Sequence, residues 1–211
     1  MSFLLSGRRA DAIPDSDLTQ YTLDKQDTDV LSISSPSSYE VEDIGANDRD
    51  KIFRVYDNTF DSFKIGFDLN VTSGTDNNEH YHIGIGTEGD STFDTLSDWV
   101  GLHIHDGTSS DFDGQEFASR VGGSKAWDDV EEIFASYSLG VVSSIEMEFD
   151  MDTGTATLEV TDTGGTEGSS TVSFDESKDW DTVYALMASE RDFSSPGSMD
   201  AEIVEWDFDG I

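Results

Sequence analysis

The side chains best suited to chemistry in this chain are its four histidines, which fall in two short stretches. The stretches are Glu79–Gly86, with His80 and His82, and Asp98–His105, with His103 and His105. Each alternates apolar residues with polar or small ones, and this period of two predicts a β-strand with one buried face. The histidines occupy the other face, which Trp99 shares in the second strand.

The polar segment 87–96, which includes Gly89, predicts a connection between two antiparallel strands. If the two strands pair antiparallel across this segment, His80 lies opposite His105 and His82 lies opposite His103, with directly paired Cβ atoms about 5 Å apart. All four histidines then form one patch beside Trp99. Three residues on the same face have no side chains, so little projects from the sheet around the patch; they are Gly84, Gly86 and Gly101.

Three interpretations of this patch remain open. Neutral imidazoles supply the nitrogen ligands that zinc or nickel takes, so the patch is a candidate metal site. It is also a candidate ligand-binding surface, on which Trp99 stacks against a ligand and the histidines donate hydrogen bonds. Histidines on a strand can also simply face solvent, and a one-residue slip in pairing would separate them.

The segment from Asp106 to Asp129 is rich in Gly, Ser and Asp and predicts a long loop, the kind of segment that often carries function. It carries Phe112, Phe117 and Trp127, and the two phenylalanines are further candidates for ligand binding. Next come apolar residues at helical spacing, which predict one short helix. They are Val130, Ile133, Phe134 and Tyr137.

Charge is the strongest compositional signal, with 46 acidic residues against 11 basic ones and a formal net charge of −35 over 211 residues. Thirteen Phe, six Tyr and four Trp argue against disorder. In molar salt the Debye length falls to about 3 Å, which screens repulsion between carboxylates. The composition therefore indicates a folded protein from a high-salt cytoplasm, and it argues against nucleic acid as a partner because a basic stripe is lacking.

Residues 1–18 are interpreted as an N-terminal arm that precedes one domain over residues 19–211. The arm has a small apolar anchor and two arginines suited to docking on an acidic partner; these residues are Phe3, Leu4, Leu5, Arg8 and Arg9. Three consecutive apolar residues are too few for a signal-peptide core, and we find no apolar run long enough to span a membrane. The chain lacks cysteine, which excludes disulfides and Cys-based zinc sites.

The remaining chain alternates in short segments separated by turn residues, and it predicts about ten strands in two packed antiparallel sheets. Ile65, Phe67, Leu69 and Val71 are predicted to point inward from one of these strands. Segments 144–150 and 155–161 predict a hairpin about Asp152-Thr-Gly154. The order of elements resembles the concanavalin A-like lectin/glucanase superfamily, in particular its laminin-G-like jelly rolls. The segments that carry the resemblance are 60–69, 145–160 and 201–208.

This resemblance implies an all-β, two-sheet antiparallel jelly-roll sandwich, and it implies ligand binding on loops or on the concave face. Some members hydrolyse glycans, but their Glu-x-Asp-x-x-Glu pattern is not matched by Glu146, Glu148 and Asp150, so we expect no enzyme activity. Fragments of calcium loops occur at 111–114 and 150–154, and turn chemistry accounts for both. No cofactor is expected to be required, although a divalent metal such as zinc or calcium remains an option.

The expected function is that of a non-enzymatic surface subunit of a haloarchaeal virus particle, in a tail, fibre, baseplate or capsid decoration. Its expected partners are other virion subunits, further copies of itself in a homo-oligomer, and a host surface glycan or glycoprotein. Assembly is expected in a high-salt cytoplasm. The alternative is a cellular glycan-binding domain or glycosidase of a haloarchaeon.

Overall fold

The computed structural model describes residues 16–24, 31–42, 51–55, 62–74, 77–86, 99–108, 113–121, 130–163, 165, 167–177, 180, 182–188 and 199–210. Within these ranges the chain forms 14 strands and one 3₁₀ helix, Leu18–Gln20. The strands are β1 Thr22–Asp24, β2 Leu31–Ser35, β3 Ser38–Val41, β4 Lys51–Val55, β5 Ser62–Ser73, β6 Asn77–Gly86, β7 Trp99–Thr108, β8 Asp113–Val121, β9 Val130–Ser136, β10 Val142–Asp150, β11 Thr155–Asp162, β12 Glu167–Ser173, β13 Thr182–Ala188 and β14 Asp200–Gly210.

The strands form two seven-stranded sheets, and all of their pairings are antiparallel. Sheet A has the order β1-β4-β13-β6-β7-β8-β9, and sheet B has the order β12-β11-β10-β5-β14-β3-β2. The two sheets pack face to face around one apolar core. The all-β sandwich expected from the alternating sequence is therefore confirmed. No helix in the described ranges has the length and apolar character of a membrane span.

Strand β5 shows how period-two alternation builds the core. Ile65, Phe67, Leu69 and Val71 are at most 4% exposed, while their neighbours along the strand are partly exposed. The ring of Phe63 stacks on Phe149 of β10 at 5.0 Å and on Phe208 of β14 at 4.9 Å. The inward direction predicted for this strand is confirmed.

The predicted hairpin is formed by β10 and β11. Asp150 pairs with Thr155, and Ile145, Met147 and Phe149 pair with Val160, Leu158 and Ala156. The turn ends at Gly154, whose φ of 61° lies in the left-handed region that favours glycine. The turn residues and the alternation of the two strands specify the same register, and the structure has that register.

Two expectations about residues 106–137 are wrong. The described residues of the predicted loop are strand, since β7 continues to Thr108 and β8 runs from Asp113 to Val121. The predicted helix is the edge strand β9, Val130–Ser136. Its pairing with β8 shifts register twice, between Phe117 and Ala118 and between Ser119 and Arg120. Such bulges interrupt the period of two and leave apolar residues at a spacing that resembles a helical one.

The N-terminal segment already joins the sandwich at Ser16. The Ser16 hydroxyl donates a hydrogen bond of 2.7 Å to the Asp207 carboxylate, and Leu18 is fully buried. The Leu18 amide donates to the Pro36 carbonyl at 2.7 Å. The anchor residues Phe3, Leu4, Leu5, Arg8 and Arg9 lie outside the described residues, so the arm stays a prediction.

Candidate functional site

The pairing of β6 with β7 brings the histidine positions together. In this register His80 lies opposite His105, and His82 lies opposite His103. The register expected from alternation is therefore confirmed at the backbone. The side chain of His80 lies outside the described part of the structure, so the geometry below concerns the other three histidines.

Three histidine rings and one indole pack against each other on the face of sheet A that points away from the core. The His82 and His103 rings stack with centroids 4.3 Å apart and an interplanar angle of 27°. His105 meets His103 edge-on at 6.1 Å, and Trp99 meets His82 edge-on at 5.0 Å. We call these four residues, with Arg120 described below, the histidine face.

The histidine face is buried rather than solvated. His82 and His103 are 0% exposed, His105 is 1% exposed and Trp99 is 3% exposed. The interpretation of these residues as an open, solvated surface is therefore wrong. Alternation alone could not show this, because a polar face looks the same in sequence whether or not it is covered.

Hydrogen bonds from neighbouring elements fix one end of this face. The Nδ1 atom of His105 lies 3.2 Å from the Gly114 carbonyl oxygen, and the Tyr137 hydroxyl donates to the His105 carbonyl at 3.0 Å. At the other end, the Nε1–H of Trp99 is buried and has no acceptor among the described residues. A buried indole N–H usually finds an acceptor, so this donor is a point at which a ligand oxygen could bind.

A glycine pair lies between Trp99 and the stacked imidazoles. Gly84 is paired with Gly101, and a Cβ atom on either residue would overlap a carbonyl oxygen of the neighbouring strand. The indole starts opposite Gly86 and reaches His82, four positions along β6. Because neither glycine has a side chain, the space above the pair is free for the Trp99 indole to lie along the sheet.

Strand β8 adds an arginine that the sequence analysis missed. Phe117 and Val121 pack with the core, and Ser119 bonds to Ser170 of the opposite sheet, so Arg120 points to the histidine face. Arg120 is 1% exposed and lies opposite Gly101. Alternation from Glu116 to Val121 indicates a strand with Arg120 on its outer face, but the Gly- and Asp-rich flanking residues favour a loop.

Neither of the two phenylalanines proposed as ligand-binding residues in the predicted loop is shown to contact this face. Phe117 is fully buried in the core, with its ring 5.1 Å from that of Tyr137, so its expected role in ligand binding is wrong. Phe112 lies outside the described residues.

The described side chains do not form a metal site. Among them, no group of three or more His, Asp or Glu side chains has an arrangement that could hold a metal ion. The set predicted from sequence also included His80, so zinc binding by all four histidines stays a prediction.

The calcium-loop fragment at 150–154 is a turn held by its own backbone. Asp150 accepts hydrogen bonds of 3.0 Å from the amides of Asp152 and Thr153. Hydrogen bonds from the Thr153 side chain and then its amide hold the pKa of Asp150 below its ordinary value. In the other fragment, Asp111 and the side chain of Asp113 lie outside the described part of the chain.

The acidic strand residues considered for hydrolysis lie on the outer face of sheet B, away from the histidine face. Lys64 Nζ lies 2.6 Å from a Glu146 oxygen and 3.2 Å from a Glu148 oxygen. The hydrogen bonds to Glu146 and then Glu148 raise the pKa of Lys64. These carboxylates belong to a surface ion-pair group.

No protein-family model and no curated protein sequence matches this chain. Its solved structural neighbours include lectins and a glycoside hydrolase domain. The winged bean acidic lectin complexed with methyl-α-D-galactose has a TM-score of 0.63 at 14% identity, over 89% of this chain and 91% of the lectin. A Lotus tetragonolobus seed lectin has a TM-score of 0.61 at 10% identity, over 90% and 93%.

A GH131 β-glucanase catalytic domain from Podospora anserina has a TM-score of 0.56 at 14% identity, over 100% of this chain and 97% of that domain. Identities this low establish the architecture and leave the function open. Taken with the two antiparallel sheets, these likenesses show that the chain has the concanavalin A-like jelly-roll fold.

Proposed function

We propose that this protein is a non-enzymatic glycan-binding module and that the histidine face is its binding site. We propose further that it serves as a surface subunit of a haloarchaeal virus particle. The fold supports glycan binding, because a neighbour of the same architecture is a lectin complexed with methyl-α-D-galactose. The composition supports the high-salt setting of the virion proposal, with a net charge of −35 on a folded sandwich.

The observation that carries the binding site is the environment of Trp99. Its indole is a flat apolar surface of the kind on which a sugar ring stacks, and its buried N–H has no acceptor among the described residues. The oxygen of a sugar hydroxyl is such an acceptor. Because Trp99 is only 3% exposed, the ligand must displace the groups that cover it.

A glycosidase of a halophilic cell is the second candidate, favoured by the likeness to the GH131 glucanase. Glycoside hydrolysis needs two carboxyl groups about 5 to 10 Å apart across the scissile bond. Among the described side chains of β6, β7 and β8, the outward face offers one carboxylate, Glu116, opposite His105. A single described carboxylate on this face supports binding without hydrolysis. Release of reducing ends when the protein is incubated with a β-glucan would contradict that conclusion.

The binding site is tested by replacing the indole with a ring that lacks the N–H. In molar KCl, the wild-type protein should bind at least one carbohydrate on a glycan array, and Trp99→Phe should bind it at least about tenfold more weakly. Trp206→Phe is the matched control, because Trp206 Nε1 is also buried without a described acceptor but lies in the core, stacked on Phe67 at 5.7 Å. Equal affinity for all three proteins, or no binding by the wild type, would contradict the proposal.

The virion assignment is tested separately from the binding site. Purified particles from an infected high-salt culture should contain the chain in a fixed stoichiometry by quantitative mass spectrometry. An antibody to the chain should label the particle surface in electron micrographs. Presence only in uninfected cells would favour the cellular alternative.

A further inference from the structure

We propose that a chloride ion binds between the two sheets, at a site where Arg54 of β4 and Trp206 of β14 supply the hydrogen-bond donors. Two buried nitrogen atoms, one from each sheet, have no hydrogen-bond partner among the described residues; they are Nη1 of Arg54 and Nε1 of Trp206. The site lies on the core side of sheet A, away from the histidine face, so it goes beyond glycan binding and does not depend on it.

Alternation along β4 directs the Arg54 side chain into the space between the sheets. Ile52, two residues earlier on the same face, is fully buried in the core. The guanidinium carbon of Arg54 lies 5.9 Å from the centre of the Tyr21 ring, which also packs in the core. Arg54 as a whole is partly exposed, so an ion from solution can reach the site, but its Nη1 is buried.

Trp206 reaches the same aromatic ring from the opposite sheet. Its indole meets Tyr21 edge-on, with ring centroids 6.2 Å apart, and Trp206 is 2% exposed. The guanidinium and the indole therefore lie at the same end of the space between the sheets, where both contact Tyr21.

A bulge in β14 turns the Trp206 indole inward. The pairing with β5 shifts register between Val204 and Asp207, and Glu205 has a φ of 56°, which is uncommon for a residue with a side chain. In the first half of β14 every second residue is buried, so an uninterrupted strand would point Glu205 inward. The bulge leaves Glu205 exposed and fills the inward position with an N–H donor in place of a carboxylate.

Asp17 is a carboxylate affected by the Arg54 charge, but it does not bond to the buried Nη1. Its Oδ1 accepts hydrogen bonds from the Thr19 amide at 2.9 Å and from the Thr19 hydroxyl at 2.6 Å. The bonds from the Thr19 side chain and then its amide hold the pKa of Asp17 below its usual value, and the charge of Arg54 adds a smaller contribution in the same direction. Nη1 still lacks an acceptor.

A small anion satisfies both donors and balances the charge. Buried N–H groups are normally paired with protein, water or an ion, and a buried charge is costly without a partner. Water can accept the two hydrogen bonds, but it leaves the guanidinium charge uncompensated. Donors from two different side chains suit a spherical ion, whereas the paired oxygens of a carboxylate match the two arms of one guanidinium. The proposed high-salt setting supplies chloride as an abundant small anion.

The first test asks whether stability depends on chloride itself. Thermal unfolding of the full chain is followed while chloride replaces gluconate, a much larger monovalent anion, at a fixed molar concentration of potassium. An ion that binds only the folded state shifts the folding equilibrium up to tenfold for each tenfold rise in its concentration. For a chain of this length that shift raises the melting midpoint by roughly 3 to 6 °C.

Variants separate binding at this site from general effects of the two anions. Arg54→Gln and Trp206→Phe should each lose the rise in midpoint that chloride gives the wild type. Lys64→Gln is the control for charge, and Trp180→Phe is the control for the indole, because Trp180 Nε1 already donates to the Asp175 carbonyl at 2.9 Å. Both controls should keep the wild-type response. If folded Arg54→Gln and Trp206→Phe respond to chloride as the wild type does, the proposal is overturned.

Bromide gives a direct measurement that needs no variant. In crystals of the wild-type protein grown in molar KBr, the anomalous difference map should show a peak in hydrogen-bond contact with Arg54 Nη1 and Trp206 Nε1. Bromide has the same charge as chloride and a similar size, so this peak would locate the site. Ordered water without anomalous signal at this position, or a protein oxygen bonded to both nitrogens, would overturn the proposal. This measurement decides the question if the variants do not fold.

Discussion

The glycine pair under Trp99 gives a prediction whose magnitude follows from the geometry. An alanine Cβ at Gly84 would overlap the Val100 carbonyl oxygen and lie 2.9 Å from the Gly101 Cα. At Gly101 it would overlap the Ile83 carbonyl oxygen and lie 2.6 Å from the Gly84 Cα. These obstacles are backbone atoms of paired strands, so they cannot rotate aside as a flexible side chain could.

Overpacking of this kind costs about 1 to 3 kcal/mol, and a clash with backbone falls at the upper end, about 3 kcal/mol. For a chain of this length each kcal/mol lowers the midpoint of thermal unfolding by roughly 2 to 4 °C. We therefore expect Gly84→Ala and Gly101→Ala each to lower the midpoint by about 6 to 12 °C. The assay is thermal unfolding followed by circular dichroism in molar KCl.

Gly66→Ala in β5 is the matched control. Its Cβ would meet its nearest neighbour, the Ile145 carbonyl oxygen, at 3.9 Å, which is an ordinary van der Waals contact. The substitution removes backbone freedom from the unfolded chain, so we expect no loss of stability or a gain of up to about 1 kcal/mol. If Gly84→Ala melts as Gly66→Ala does, the close approach of β6 and β7 at this pair is refuted.

Three further predictions concern salt, metal and the N-terminal segment. At a net charge of −35, dialysis from molar to about 0.1 M salt should unfold or loosen the protein, and an unchanged melting temperature would remove the argument for a halophilic origin. If the four histidines bind zinc or nickel, elemental analysis after dialysis without chelator should find metal in the wild type and none in the His82→Ala, His103→Ala double variant. Metal in neither protein would end that hypothesis. Deletion of residues 1–15 should leave the melting temperature unchanged and abolish incorporation into particles, and normal incorporation of the truncated protein would refute the docking arm. In contrast, Leu18→Ala should lower the free energy of unfolding by about 2 to 5 kcal/mol, because the Leu18 side chain is fully buried.

Local patterns predicted the parts of the fold in which alternation is regular. The inward residues of β5, the β10–β11 hairpin and the pairing of His82 with His103 all followed from a period of two combined with turn residues. In each case the face that points into the core is apolar, so a shift of one residue would turn it away from the core, and the register is determined strongly.

Tertiary context decided the rest. The apolar residues of β9 fit a helix in isolation, and only pairing with β8 makes this segment a strand. Arg120 lies in a segment whose composition is typical of a loop, and its position on the histidine face depends on the pairing with Gly101, nineteen positions earlier in sequence. The burial of His103 depends on what covers the sheet, which no short-range pattern reports.

The positions of β13 and β14 have a consequence for how the protein is made. β13 lies between β4 and β6 in sheet A, and β14 lies between β5 and β3 in sheet B. Ile203 pairs with Leu69, and Val183 pairs with Ile85, so both sheets close through contacts between residues distant in sequence. Until these strands are synthesised, each sheet has two unpaired strand edges at a central gap. The sandwich therefore completes folding late and slowly, and the incomplete chain is exposed to aggregation on the ribosome unless its edges are protected.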